Sequence, residues 1–204
     1  MSRIRRSFLE RPVLDVAPDL LGCTITAGGV TIRLTEVEAY AGGHDPGSHA
    51  FRGQTPRTEV MFGRAGHLYV YFTYGMHWCA NIVTGQEGAA SAVLLRAGEV
   101  VAGHELAATR RAGIRERDWA RGPARLASTL GLSREDNGAD ACGRAAQPRL
   151  DEPIAAIDPA LVRNGPRVGV SGPGGDGEAY PWRFWLDGEP TVSPYRPAVP
   201  RPRR

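Results

Sequence analysis

Residues 66–84 read GHLYVYFTYGMHWCANIVT, two runs of strand-forming residues on either side of Tyr74-Gly75. Aromatic and β-branched residues favour strands, and a glycine supplies the positive φ that a tight hairpin turn needs. The stretch therefore reads as an antiparallel β-hairpin. Side chains alternate along a strand, so Leu68, Val70 and Phe72 share one face and Tyr69, Tyr71 and Thr73 the other. The first set suits a core, and the second puts a tyrosine pair on the opposite face. Five of the chain's fifteen aromatic rings lie in residues 69–79, so the hairpin is either the spine of the core or a surface that grips something flat. Tyr74 sits in the turn, where burial is hard, and Met76 follows it. An aromatic side chain there folds back onto its own strands or wedges into a partner, as apolar side chains do when they part base pairs.

Upstream, VTIRLTEVEAY (30–40) alternates as a strand should, with Ile32, Leu34 and Glu36 to one side and Arg33, Thr35 and Val37 to the other. CTITA, from residue 23, begins another strand. Residues 8–21, FLERPVLDVAPDLL, read as a helix entered near Pro12, interrupted by Pro18 and stopped by Gly22. Residues 41–57, AGGHDPGSHAFRGQTPR, form a long loop, of a kind that is commonly functional inside a compact domain. Downstream, ASAVLLRAGEV (90–100) is a nearly all-apolar strand with Arg96 towards its end. Residues 104–132 read as helical, with a second segment opened by Gly122-Pro123. RVGVSG (167–172) and WRFWLDG (182–188) read as final strands. The tail SPYRPAVPRPRR is rich in Pro and Arg. Hairpins and irregular loops join the strands, and regular βαβ alternation is missing. The expected fold is a single α+β domain, a curled antiparallel-rich sheet with surrounding helices and a protruding β-hairpin. The domain is expected over residues 1–193, with 194–204 a disordered tail.

The chain has 204 residues and 42% hydrophobic content, enough for one domain with a proper core. No apolar run approaches the roughly 18 residues of a membrane span. The basic start, MSRIRRSFLERP, lacks the apolar stretch of a signal peptide. The expectation is a soluble, cytoplasmic protein. A net charge of +3 permits a nucleic-acid partner without demanding one. All 25 basic residues are Arg, so no lysine amine is available for a Schiff base. Cys23, Cys79 and Cys142 form no C-x-x-C pair, and the five His show no H-E-x-x-H, so neither a disulfide framework nor a metal cofactor is expected.

Two carboxylates stand out. Glu36 and Glu38 lie two apart on one strand, hence on one face, where they resist joint ionisation unless a cation intervenes. Arg96, on an otherwise apolar strand, is the candidate cation. The arrangement is either a structural ion pair or a carboxylate base, oriented by Arg, that activates water. Tyr40 can share the Glu38 face, and His49 lies in the loop beyond.

TEVEAY, GSHAFRGQTPR, MFGRAGHLYVYFTYGMHWCANIV and AVLLRA, in this order and spacing, closely resemble the alkyladenine (3-methyladenine) DNA glycosylase family. The resemblance runs from about residue 7 to 188 and includes GPARL, PRVGVSG and WRFWL. It implies that Glu38 is the general base, with Arg96 beside the attacking water. It implies that Tyr40, His49 and Tyr71 wall the pocket for a flipped base, and that Asn81 crowds the exocyclic amine of normal guanine. Tyr74 then fills the gap in the duplex, Met76 neighbours it at the minor groove, and Arg125 reaches phosphate where a family member has Lys. Glu36 inherits no role.

What the resemblance implies is a monofunctional DNA glycosylase of base excision repair. It would flip out alkylated or deaminated purines (3-methyladenine, 7-methylguanine, hypoxanthine, ethenoadenine) and leave an abasic site. Stacking on tyrosine faces is worth roughly 1–3 kcal/mol per base, and cationic alkylpurines gain a cation–π attraction besides. The expected partner is double-stranded DNA, bound by a monomer at the nucleoid with no protein partner, no membrane and no cofactor. Two other classes fit the residues alone. One is a non-catalytic nucleic-acid binder, which would need neither Glu38 nor Arg96. The other is a sugar hydrolase using Glu36 and Glu38, although such pairs flank the scissile bond rather than share one side of it.

Overall fold

The computed structural model describes residues 2–143 and 147–198. The N-terminal segment forms two short helices, α1 (Arg6–Leu9) and α2 (Val13–Asp19); Pro12 caps the second, and Pro18, expected to interrupt the helix, lies inside its last turn. The chain then enters β1 (Thr24–Ala27) and turns at Gly28-Gly29 into β2 (Val30–Tyr40). Both glycines have positive φ, 51° and 80°, which a two-residue hairpin turn requires and other residues resist. The loop to residue 67 leads into β3 (Leu68–Thr73), β4 (His77–Val83) and β5 (Ala92–Ala102). The helices α3 (His104–Arg110) and α4 (Pro123–Leu130) follow, then β6 (Arg149–Asp151), β7 (Val162–Gly165) and β8 (Arg183–Leu186).

The strands form one antiparallel sheet in the order β3-β4-β5-β2-β1-β6, not closed into a barrel. The central strand β2 is long enough to serve two partners on one edge. Residues 30–33 of that edge pair with β1, and Glu36–Glu38 pair with β8, which also carries β7. The sheet, the helices and the protruding hairpin bear out the expected α+β class.

Alternation assigns the faces. Leu68, Ile82, Val93, Leu95 and Val37 are buried on one side, where Leu20, Leu126 and Leu130 join them in the main core. Tyr69, Asn81, Leu94 and Glu38 are linked by strand pairing and turn to the other side, as do Tyr71 with Cys79 and Tyr40 with Ala92. Ala50 and Met61, from the long loop and the short 3-10 turn after it, pack there on Tyr69, Val83 and Ala92. α4 begins at Gly122-Pro123 as expected and stops at Gly131. The helical reading of 104–132 holds at its two ends, while the middle is loop with a 3-10 turn at Glu116–Asp118.

Two further expectations need correction. Phe72 does not join the core with Leu68 and Val70: it is 47% exposed and leans on Trp78, with ring centroids 4.8 Å apart. The reason is the reach of the sheet. β5 covers β4 only at residues 81–83, so residues 77–80 of β4 and the β3 residues paired with them project beyond that neighbour. Tyr69, on the opposite face, is buried instead. RVGVSG is not a strand. Gly169 and Gly172 turn it with φ of 70°, and its N–H groups go elsewhere: Val168 donates to Glu38 and Gly169 to the carbonyl of Arg196. Residues 194–198 run beside this loop without regular structure, and the rest of the expected tail, 199–204, lies outside the described residues. No helix among the described residues is long and apolar enough to cross a membrane.

Candidate active site

A pair of register shifts in the β2–β5 ladder builds the charged centre. Leu34 pairs with Gly98, Glu36 with Ala97 and Val37 with Leu95, so Thr35 is an extra residue on one strand and Arg96 on the other. A bulge re-aims a side chain out of the regular alternation. Arg96 thereby reaches both carboxylates. Its Nε donates to Glu36 Oε1 at 2.9 Å, and its Nη1 lies 3.4 Å from Glu38 Oε1. Burial opposes the Arg96 charge, but Glu38 and Glu36 outweigh it and push Arg96 above the usual arginine range. A permanently charged guanidinium therefore faces Glu38 from one side.

Glu38 has no exposed surface. Its Oε1 accepts from the Val168 N–H at 2.7 Å, and its Oε2 from the Tyr40 hydroxyl at 2.9 Å. Burial and the Glu38 charge hold the Tyr40 hydroxyl well above the usual phenol range, so it stays a donor. Glu36 is equally buried but differently engaged. Arg96, Arg183 and the Ser193 hydroxyl all donate to Oε1, and the Ser193 N–H to Oε2. These four donors engage both oxygens of Glu36 and crowd Oε1. Glu36 does not line the cleft that Glu38 lines. The paired-carboxylate sugar hydrolase has no support in this geometry.

Above Glu38 and Arg96 lies a cleft of about 360 Å³ walled by Tyr40, His49, Tyr69, Tyr71 and Asn81, with Tyr74 at its rim and the 168–171 loop opposite. Tyr69 and Tyr71 stack with centroids 5.4 Å apart. His49 stands edge-on to Tyr71 at 4.6 Å, and its Nδ1 is 3.0 Å from the Tyr69 hydroxyl. One side of His49 is open to solvent, but its packed side and the Arg57 charge lower it to about 4. It is a neutral imidazole at neutral pH. Burial pushes the Tyr71 hydroxyl far above its usual range, and it too stays protonated. Asn81 donates its amide to the Tyr69 carbonyl at 3.0 Å, which fixes its orientation in the wall. Cys79, also in the wall, is a free thiol that burial holds above its usual range.

The hairpin tip reaches furthest. Thr73 pairs with His77, and the Met76 N–H closes the turn onto the Thr73 carbonyl. Tyr74 has φ 51° and Gly75 67°. Tyr74 is the one non-glycine residue with positive φ among the described residues, and it is 83% exposed. Backbone strain of this kind costs about 1 kcal/mol or more and concentrates at functional sites.

The structure thus brings Glu38, Arg96, Tyr40, His49, Tyr71, Asn81 and Tyr74 around one cleft. Met76 lies outside it, in a shallow groove with His77, Trp78, Ala124 and Ser128. Arg125 is on the exposed face of α4, its Nη1 3.4 Å from the Asp118 carbonyl. Sequence reasoning missed Arg167. It is fully buried in a two-pronged ion pair with Asp45, at 2.6 and 2.7 Å, and also donates to the Ala39 and Gly174 carbonyls. Its guanidinium lies 4.6 Å from the Tyr40 ring centroid. This clamp holds the long loop, the back of Tyr40 and the loop that presents Val168. Its one signal was an Arg beside the valines of RVGV.

A family model described as methylpurine-DNA glycosylase matches residues 7–190. A protein of Streptomyces avermitilis named "Putative 3-methyladenine DNA glycosylase" is 56% identical over 206 residues, covering 98% of this chain and 95% of its own length. Proteins of the same name from Leifsonia xyli and Frankia casuarinae are 53% and 50% identical, covering 94% and 97% of this chain and 92% and 93% of their own.

Proposed function

Since the chain belongs to the methylpurine-DNA glycosylase family, and so is a DNA glycosylase that hydrolyses N-glycosyl bonds to alkylated purines, we propose that Glu38 is its general base and that the aromatic cleft holds the flipped purine. The observation that carries this is the meeting of three features. A buried carboxylate lies beside a buried arginine, at the floor of a cleft walled by flat rings, and a strained, exposed tyrosine stands at its rim.

In this reading the Tyr74 tip enters the duplex and fills the space the flipped nucleotide leaves. Unstacking costs a few kcal/mol, and the inserted ring offsets part of it. Tyr40, Tyr71 and His49 hold the base, and the electron-rich tyrosine faces favour cationic alkylated purines over neutral ones. Neutral His49 can accept as well as donate a hydrogen bond. Asn81, held by the Tyr69 carbonyl, presents a fixed edge that crowds the exocyclic amine of guanine. As the glycosidic bond breaks, positive charge develops on the sugar. The Glu38 carboxylate lies below and takes a proton from the attacking water. Tyr40, Val168 and Arg96 fix its orientation. Met76 abuts the minor groove, and Arg125 contacts phosphate. The substrates extend to 7-methylguanine, hypoxanthine and ethenoadenine. The product is an abasic site in an uncut strand, because a chain without lysine lacks the usual amine for strand cleavage. The protein acts as a monomer in the cytoplasm, on nucleoid DNA.

The test is single-turnover excision from duplexes carrying one 7-methylguanine or one hypoxanthine, by wild type and Glu38→Gln. Wild type is expected to release free base without nicking and without a borohydride-trapped adduct. Glu38→Gln is expected to bind the same duplex and release base at least about a hundredfold more slowly, the usual scale of general-base catalysis. Equal release by both proteins removes Glu38 from the mechanism.

A further inference from the structure

We infer that Glu36 and Ser193 are positioning residues for excision, and that the C-terminal strap 191–193 is a working part of the active site. This rests on the proposed role of Glu38. Four buried charges stand in a row and alternate in sign: Arg183, Glu36, Arg96, Glu38. Arg183 Nε is 2.7 Å from Glu36 Oε1, Glu36 Oε1 is 2.9 Å from Arg96 Nε, and Arg96 Nη1 is 3.4 Å from Glu38 Oε1. The first two contacts are tight and the third is loose. Arg96 is anchored to Glu36 and only leans on Glu38. That division matters, because a guanidinium closed fully onto Glu38 would occupy the lone pairs that must receive the proton from water.

Ser193 completes the anchor from the far end of the chain. Its N–H donates to Glu36 Oε2 at 2.7 Å and its hydroxyl to Glu36 Oε1 at 2.9 Å. The same hydroxyl oxygen accepts from Arg96 Nη2 at 3.3 Å. Ser193 thus holds Arg96 by the edge that faces away from the cleft. The strap is fastened along its length: Thr191 and Thr35 share a hydroxyl bond at 2.8 Å, Arg121 donates to the Val192 carbonyl and Arg183 to the Ser193 carbonyl. None of Glu36, Arg183 or Ser193 lines the cleft. Their effect on chemistry passes through the aim of Arg96. A purely structural ion pair needs no serine shared between carboxylate and guanidinium, and no difference in tightness between the two carboxylates.

Ser193→Ala keeps the strap's backbone bonds and removes only the hydroxyl. Glu36→Asp keeps the charge and shortens the arm. Each variant is read three ways: single-turnover excision of 7-methylguanine, affinity for a duplex with an abasic site, and thermal midpoint. The expected result for Ser193→Ala is a rate about fivefold lower, the scale of one hydrogen bond, with affinity within about twofold of wild type. Ser193→Thr, which restores a hydroxyl, recovers most of the rate. Rates equal to wild type in Ser193→Ala and Glu36→Asp overturn the inference. So does a rate that falls only in proportion to lost affinity and lost folded fraction, which is a structural role alone. If Glu38→Gln, run beside these variants, releases base as fast as wild type, the reading of Glu38 has failed and this inference falls with it.

Discussion

Tyr74 occupies a backbone conformation that its side chain disfavours, at a tip where Gly75 would meet no neighbour even with a Cβ. Folding stability gains nothing visible from that choice. Asn tolerates the left-handed region far better than Tyr. Tyr74→Asn is therefore expected to raise stability by about 0.5–1 kcal/mol and to slow excision from duplex DNA at least about tenfold, with much less effect on a single-stranded substrate. Urea unfolding and paired single-turnover assays check both halves, and unchanged duplex excision would remove the wedge. His49 gives a second test. Its folded value, about 4, lies below the unfolded value of 6.5. The folded state prefers the neutral ring, so the His49 contribution is intact above pH 6.5 and is lost as pH falls from 6.5 towards 4. Thermal midpoints across that window should fall less steeply for His49→Gln than for wild type. At this scale the chain was partly legible. The spacing of Glu36, Glu38 and Tyr40 announced a shared face. Which carboxylate meets the cleft was not legible from spacing, and only the family resemblance pointed to Glu38, because the choice depends on donors brought from residues 168, 183 and 193.

The hairpin, the two long strands and the α4 boundaries follow from local chemistry: alternation, turn glycines, and Gly-Pro opening a helix that a glycine closes. What resisted reading were features made by contact between elements. The β2–β5 bulges leave no mark in either strand alone, yet they turn Arg96 onto the Glu face. The 167–172 segment has the composition of a strand but spends its N–H groups on Glu38 and on the chain beyond residue 193. Arg167 and Asp45 lock that segment to the long loop with no exposed surface on either side chain. Breaking one partner of such a pair strands the other charge. Asp45→Asn is expected to cost about 3–5 kcal/mol and to slow excision through the displaced Val168 N–H. Replacing both partners, Asp45→Leu with Arg167→Met, should cost less stability than the single change. Denaturant midpoints decide it, and a loss under about 1 kcal/mol for Asp45→Asn would show that the clamp carries little.

Across the whole molecule the charges fall into two populations. Arg183, Glu36, Arg96 and Glu38 are buried, alternate in sign and cancel, and the buried Arg167–Asp45 pair cancels beside them. Arg52, Arg57 and Arg125, by contrast, are exposed. Mobile ions screen surface charges over about 10 Å at 0.1 M salt but penetrate a packed interior little. Grip and chemistry should therefore answer differently to ionic strength. Between 50 and 200 mM salt, the enzyme concentration needed for half-maximal excision is expected to climb roughly tenfold or more, as counterions reclaim the phosphates. The rate at saturating enzyme should stay flat within about twofold. A cell that shifts its internal salt would then alter how long this protein dwells on undamaged DNA, while leaving untouched the speed with which it cuts out a base already in its grasp.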